Sequence, residues 1–257
     1  MESSFYEAAG PGSYLATAAS SGPWDPAAQH GGPPSALAAR ELERHEPADG
    51  MRLARVAVDI LRPVPVGRIT ARTRTVRPGK RVALLETVLE SDGQEVLHAR
   101  GWRLAISDVP PISSAEPVAP MPDKGEPARF PGAHVDGYLS NVDWRFVYGN
   151  FADPGPCRAW ARSRLPLLPG EELSPMVRAL LLADCGSGIS SALDPREFIF
   201  INVDLTVILQ RDLAGDWLML DAVSTMGGTG TGLCETVLAD PAGIAGAAVQ
   251  TLLVAPR

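Results

Sequence analysis

Three polar side chains in the second half of the chain stand in stretches otherwise built from apolar strand residues. They are Asp204 in INVDLTVILQ, Thr225 in AVSTM and Gln250 in AAVQTLLVA. A carboxylate can take a proton from water while a hydroxyl and an amide hold that water in place. Together these groups could serve general-base attack on an activated carbonyl. Each also has a plainer reading. Asp is depleted in strands, yet a strand carboxylate can be solvated or salt-bridged, and Thr is an ordinary strand residue. A buried amide left unpaired costs roughly 1–3 kcal/mol, so Gln250 must be bonded to something specific, and backbone at a sheet edge would suffice.

A second constellation is QHGGPPSALAARELERH, residues 29–45. The Ala-rich run reads as a helix, but glycine stands where Ser, Thr, Asp or Asn would normally cap it. A helix N-terminus carries unpaired N–H groups and the positive end of the dipole, suited to a developing oxyanion. Gly31 and Gly32 would let a carbonyl approach that backbone, and Pro33 and Pro34 preset φ where no N–H is needed. His30 could polarise a ligand. A tight turn before a helix, with a capping or surface His, accounts for the same letters. Asp59 in RVAVDILR and Asp184 in LLADCG are secondary carboxylate candidates. Asp184 falls on a predicted helix and reads also as a buried structural carboxylate or a cap.

The elements that must position these groups come in two similar sets. Half one has the helix of the QHGGPP stretch, then strand-like runs LARVAVDILRPV, GRITARTRTV, RVALLETVLES and EVLHARGWRLAI. Half two has a helix, SPMVRALLLADCG, then FIFINVDLTVILQR, DWLMLDAVSTM, TGLCETVLAD and GIAGAAVQTLLVA. The strand runs alternate with period two and are separated by Gly- and Pro-containing turns. RVAVDILR parallels INVDLTVI with Asp59 and Asp204 145 apart (204 − 59), and LLETVLES parallels LCETVLAD with Glu86 and Glu235 149 apart (235 − 86). Similar offsets in the same order indicate a duplicated unit with a four-residue length change between the matched blocks. In residues 198–210 the odd positions are all apolar, so Asp204 is expected to point away from the apolar face. Residues 109–132 are rich in Pro and read as a linker between units spanning 1–108 and 133–257. The fold class is α+β, each unit a long helix covering an antiparallel sheet. Gly101 falls where half two has Gln250, and Val76 where it has Thr225. Half two in turn lacks the glycine-opened helix, so one composite site between the units is expected.

The composition, 45% hydrophobic and 21% charged, is that of a globular protein, and a net charge of −7 disfavours bulk nucleic-acid binding. The first residues have neither the basic nor the apolar part of a secretory signal, and no apolar run approaches bilayer length. Cys157, Cys185 and Cys234 form no CxxC pair, so a reducing cytoplasm is the expectation. His30, His45, His98 and His134 lack metal-ligand spacing, so no metal and no cofactor are expected. Two further signals are weak. GGTGTG at 227–232 lacks the GK[ST] of a phosphate loop. The cations Arg72, Arg74, Arg77, Lys80 and Arg81 could hold phosphates or simply flank a Pro-Gly turn.

Taken in order, PWDPAAQHGGPPSALAAREL, CRAWARSRL, LLAD, INVDLTVILQR, AVSTMGG and AAVQTLLVA resemble the type II acyl-CoA thioesterase and thioesterase-like family over nearly the whole chain. The resemblance implies a tandem double hotdog that hydrolyses an acyl-CoA or acyl-carrier thioester. It also implies an Asp, a Thr or Ser and a Gln of the second unit around the hydrolytic water, which motif by motif fall on Asp204, Thr225 (with Ser224 beside it) and Gln250. Leu205 stands where the family often has His. A hotdog hydratase or dehydratase, using a His with a carboxylate, and a non-catalytic acyl-thioester-binding protein are the alternatives. Exposed sheet edges make further self-association an expectation.

Overall fold

A computed structural model describes residues 2–112 and 118–257. The first half contains β1 (Tyr6–Ala8), β2 (Ser13–Ala16), α1 (Gly32–Arg44), β3 (Met51–Ile60), β4 (Arg68–Arg77), β5 (Val82–Ser91) and β6 (Gln94–Ala105). The second contains β7 (Val142–Asn150), β8 (Asp153–Ser163), α2 (Pro175–Ala183), the single turn α3 (Gly186–Ile189), β9 (Phe198–Asn202), β10 (Asp204–Leu209), β11 (Leu218–Met226), β12 (Thr231–Asp240) and β13 (Gly243–Pro256). Sequence chemistry sets several of these boundaries. β5 and β6 are joined by Asp92-Gly93, both at positive φ, the pairing that a two-residue hairpin turn demands. Ser174 caps α2 by accepting from the Val177 N–H.

All thirteen strands among the described residues join one antiparallel sheet in the order β1-β2-β4-β5-β6-β3-β10-β13-β12-β11-β8-β7, with β9 paired to β13. The order reads the same from either end once halves are matched, so β3 and β10 form the seam. The hairpins β1–β2 and β7–β8 extend the two ends of the sheet beyond the sequence expectation. β1 and β2 are too short for a periodic signal, and β7 and β8 mix buried Trp144 and Trp160 with several arginines.

Registry corrects the length change in the repeat. Arg74 faces Glu86 where Val223 faces Glu235, and Leu85 faces Gly101 where Cys234 faces Gln250. Ala57 faces Arg100 where Thr206 faces Val249. Each pair is displaced by 149 (223 − 74, 250 − 101, 206 − 57). The counterpart of Asp204 is therefore Arg55, not Asp59. Asp59 instead faces Asp204 directly across the seam, and the similar letters RVAVDILR and INVDLTVI are offset by four within equivalent strands.

The helices cover the inner face of the sheet. The α1 run GPPSALAAREL is buried through Ala39 and at Leu42, its small side chains letting the helix lie close to its neighbours. α2 packs antiparallel to it, as its two ends show. Ser174 donates to the Glu43 carboxylate at 2.7 Å, while the Leu181 carbonyl lies against Gly32. The Pro-rich stretch before β7 is partly docked: Phe130 is 5% exposed, its ring against Trp24, Phe151 and Phe200. No helix among the described residues is long and apolar enough to cross a membrane.

One irregularity shapes the site. FIFINVDLTVILQR is not one strand: it breaks at Val203, and the inward phase shifts by one residue. Leu205, Val207 and Leu209 point inward as expected, but N-terminal to the break the buried residue is Phe200, with Ile201 and Val203 exposed. The expected apolar face at Ile201 and Val203 is therefore incorrect, and Asn202 takes the inward course instead.

Candidate active site

The N-terminus of α1 meets the C-terminus of α2, and Asp184, the residue that caps the end of α2, is buried between them. Its Oδ2 lies 2.9 Å from His30 Nδ1, and its Oδ1 accepts from Asn202 Nδ2 at 2.7 Å. Behind it, Gln250 Nε2 donates to the Asp184 carbonyl at 3.2 Å, and Gln250 Oε1 accepts from the Ser187 N–H at 3.1 Å. The amide singled out in β13 thus clamps the α2–α3 junction. Tyr138 stacks on the His30 ring at 4.0 Å and donates its hydroxyl proton to the Leu181 carbonyl at 2.5 Å.

Charge follows from this packing. Burial opposes the imidazolium of His30, but Cys185 and the hydrogen-bonded Asp184 carboxylate outweigh it and push the group up to about 10. Nδ1 therefore carries a proton and donates it to Asp184. The Gly32 N–H, 3.2 Å from the same nitrogen, faces a donor. Burial, Cys185 and Asp184 also push the Tyr138 hydroxyl well above its ordinary value.

The paired glycines make room for neighbouring groups of the protein itself. Gly31 sits at φ −64°, ψ −20°, where any residue is comfortable. A Cβ there would stand 2.7 Å from Asp184 Oδ2 and 2.8 Å from Oδ1, and one on Gly32 would collide with the Leu181 carbonyl. The helix end is stripped so that a carboxylate and the neighbouring helix can reach it. The bare end thus faces an anion, as its dipole favours. The N–H of Gly31 has no partner among the described residues.

A cavity of about 510 Å³ opens here, lined by His30, Gly31, Asp184, Cys185, Ser187 and Asn202 on its polar side. Trp24, Phe130, Phe151 and Phe200 form aromatic walls, with Trp24 edge-on to Phe200 at 5.2 Å. Among the described residues no group of three His, Cys, Asp or Glu side chains could hold a metal ion.

Residues 20–104 match the acyl-CoA thioesterase N-terminal domain, and residues 115–254 match the acyl-CoA thioesterase C-terminal domain. The chain belongs to the acyl-CoA thioesterase family. Its chemistry is thioester hydrolysis. Among solved structures it is similar to a conserved hot dog fold protein of Alicyclobacillus acidocaldarius (16% identity, TM-score 0.74, 95% of this chain and 93% of that one). It is also similar to the acyl-CoA thioesterase II TesB2 of Mycobacterium marinum (16%, 0.68, 98% and 95%) and the tesB protein of Mycobacterium avium subspecies paratuberculosis (17%, 0.68, 98% and 96%). At these identities the likeness speaks for the hotdog fold alone. No curated protein matches the chain.

In this thioesterase the trio Asp204, Thr225 and Gln250 is not brought together. Asp204 lies on the outer side of the break, where its carboxylate accepts from the Thr251 N–H at 2.6 Å and from the Thr251 hydroxyl at 3.2 Å. It patches the ladder interrupted at Val203 and lies opposite Asp59, which is exposed. Thr225 is exposed. Ser224 is the inward hydroxyl, 2.8 Å from Ser190. Gln250 faces inward but does not line the cavity. The His30–Gly31–Gly32 stretch and Asp184 do converge. Sequence reasoning missed Asn202, Cys185 and Ser187. Asn202 lay behind the phase shift, and the other two lay in the glycine-interrupted run DCGSG that follows α2. Of the cations around the Pro-Gly turn, Arg74 pairs with Glu86 and Arg72 with Glu90. The first four residues of GGTGTG form the β11–β12 turn, and Thr231 and Gly232 open β12.

Proposed function

We propose that this thioesterase is a tandem double hotdog, residues 1–108 and 133–257, with one composite acyl-thioester site at the α1–α2 junction. What supports the two-unit reading is the mirrored strand order about the β3–β10 seam. The observation that carries the site is Asp184, a buried carboxylate on the wall of an apolar cavity, held on both oxygens. The Asp, Thr or Ser, and Gln that the family resemblance implies are then supplied by Asp184, Asn202 and Gln250.

Asp184 and His30 handle the protons of the hydrolytic water, with the imidazolium fixing the carboxylate's orientation. The N–H of Gly31, at the positive end of α1, is the donor nearest to hand for the oxyanion. Gln250 positions Asp184 through its carbonyl. The acyl group lies against Trp24, Phe130, Phe151 and Phe200, walls suited to aromatic or compact apolar chains. The thiol partner is coenzyme A or a carrier arm, and the cytoplasm is the place of action.

The His30–Asp184 pair is also what a hydratase would use, and product identity separates the two. The test is thiol release from a panel of short, long, branched and aromatic acyl-CoAs, with hydration of an enoyl-CoA followed in parallel. Thiol release on at least one substrate, abolished by Asp184→Asn, supports the proposal. Hydration without thiol release would overturn it.

A further inference from the structure

We propose that Cys185 is the nucleophile of this site, so that hydrolysis passes through an S-acyl enzyme; the inference rests on the acyl-thioester reading of the cavity. The thiol lines the same cavity as Asp184, and its Sγ lies 3.7 Å from His30 Nε2. The other imidazole nitrogen, Nδ1, is 2.9 Å from Asp184 Oδ2. A thiol facing one nitrogen of a histidine whose other nitrogen is held by a carboxylate is the geometry of an activated nucleophile. The three residues come from both halves: His30 precedes α1, while Asp184 and Cys185 follow α2. That agrees with a single composite site.

The surroundings fit this role better than a packing role. Cys157 is buried and pushed up to about 12 by burial and by the carboxylates of Asp221 and Asp153, an inert thiol. Cys234 lies among Ser190, Ser224 and Thr236, likewise pushed up by burial. Cys185 alone of the three adjoins a cationic ring and a cavity. The Tyr138 hydroxyl, also 3.7 Å from Sγ, has its proton committed to the Leu181 carbonyl and so does not compete with His30 as a donor to Sγ.

The chemistry balances without any further reagent. The proton shared between Sγ and His30 is already on Nε2 of the cationic ring when Sγ bonds to the acyl carbon. The C–S bond to the leaving thiol breaks, and that thiolate takes the proton from Nε2. Water then attacks the S-acyl carbon and gives a proton to Nε2, the bond to Sγ breaks, and the acid departs with the Sγ–imidazolium pair restored. Asp184 holds Nδ1–H throughout.

The test uses the full chain and the best acyl-CoA from the substrate panel. Wild-type protein is mixed with it, quenched in acid over milliseconds to seconds, and read by intact mass and peptide mapping, with thiol and acid release followed separately. Cys185→Ser and Cys185→Ala are assayed beside it, with thermal unfolding to show that they fold. The expected result is an acyl adduct on Cys185, thiol appearing before acid, and kcat at least about 100-fold lower in both variants. Thiol and acid released together with no adduct at any time would overturn the inference, as would Cys185→Ser retaining kcat within about threefold. Either result leaves the thioester-hydrolase reading intact, whereas the absence of thiol release from every acyl-CoA by wild type would remove that reading.

Discussion

Replacing Gly31 with alanine sets two effects of opposite sign against each other, and the structure decides between them. The residue occupies helical φ and ψ, so alanine lowers the entropy of the unfolded chain and by itself would stabilise by about 0.4–1 kcal/mol. Its Cβ, however, would stand 2.7 and 2.8 Å from the two oxygens of Asp184 and 3.0 Å from Cγ. The carboxylate cannot yield without stretching the bonds to Asn202 and His30, and hydrogen bonds to charged groups contribute about 1.5–3 kcal/mol each. Losing one and weakening the other gives a net destabilisation of about 2–4 kcal/mol. Because the displaced group is the proposed proton acceptor, kcat should fall about 100-fold or more. Urea unfolding gives the first number and thiol release the second. A Gly31→Ala protein as stable and as active as wild type would refute the reasoning that the carboxylate is seated on that glycine.

Two further outcomes follow from named contacts. His30 has a folded value near 10 against 6.5 unfolded, so its contribution is full below about 6.5 and fades as pH rises towards 10. By linkage this amounts to about 4 kcal/mol at pH 7 and under about 1 kcal/mol at pH 10. Wild type should therefore lose stability between pH 7 and pH 10 more steeply than His30→Gln, and parallel curves would contradict the ion pair. Arg103 donates to the carbonyls of Leu42, His45 and Glu46, which the end of α1 leaves unpaired. Arg103→Met should cost roughly 2–3 kcal/mol in urea unfolding with kcat unchanged at low temperature. A loss below about 0.5 kcal/mol would mean that water replaces the guanidinium without penalty.

Much of the fold was legible because it rests on periodicity. The two helices and the long strands follow from alternating or helical apolar patterns and from turn residues such as Asp92-Gly93. What escaped were β1 and β2, too short to show a period, and β7 and β8, whose buried tryptophans lie among surface arginines. The site was harder to read for a single reason. Extrapolating the alternation of Leu205, Val207 and Leu209 back through Val203 put Asn202 on the wrong side and made Asp204 look singular. A break of one residue reverses inward and outward, so the neighbouring Asp184 and Asn202, not Asp204 and Thr225, reach the interior. The glycine pair was recognised as a bare helix end, but what fills the bared space is a carboxylate from another helix, which only tertiary packing reveals. Gln250 was legible as a buried amide requiring partners, though not which partners.

The most direct measurement is a side-by-side comparison of Asp184→Asn and Asp204→Asn in the thiol-release assay, each checked for folding by thermal unfolding. Asp184→Asn should fold and lose at least about 100-fold in kcat, whereas Asp204→Asn should keep kcat within about threefold and lose only stability through its bonds to Thr251. Full activity in Asp184→Asn with loss in Asp204→Asn would contradict the placement of the active centre at the α1–α2 junction.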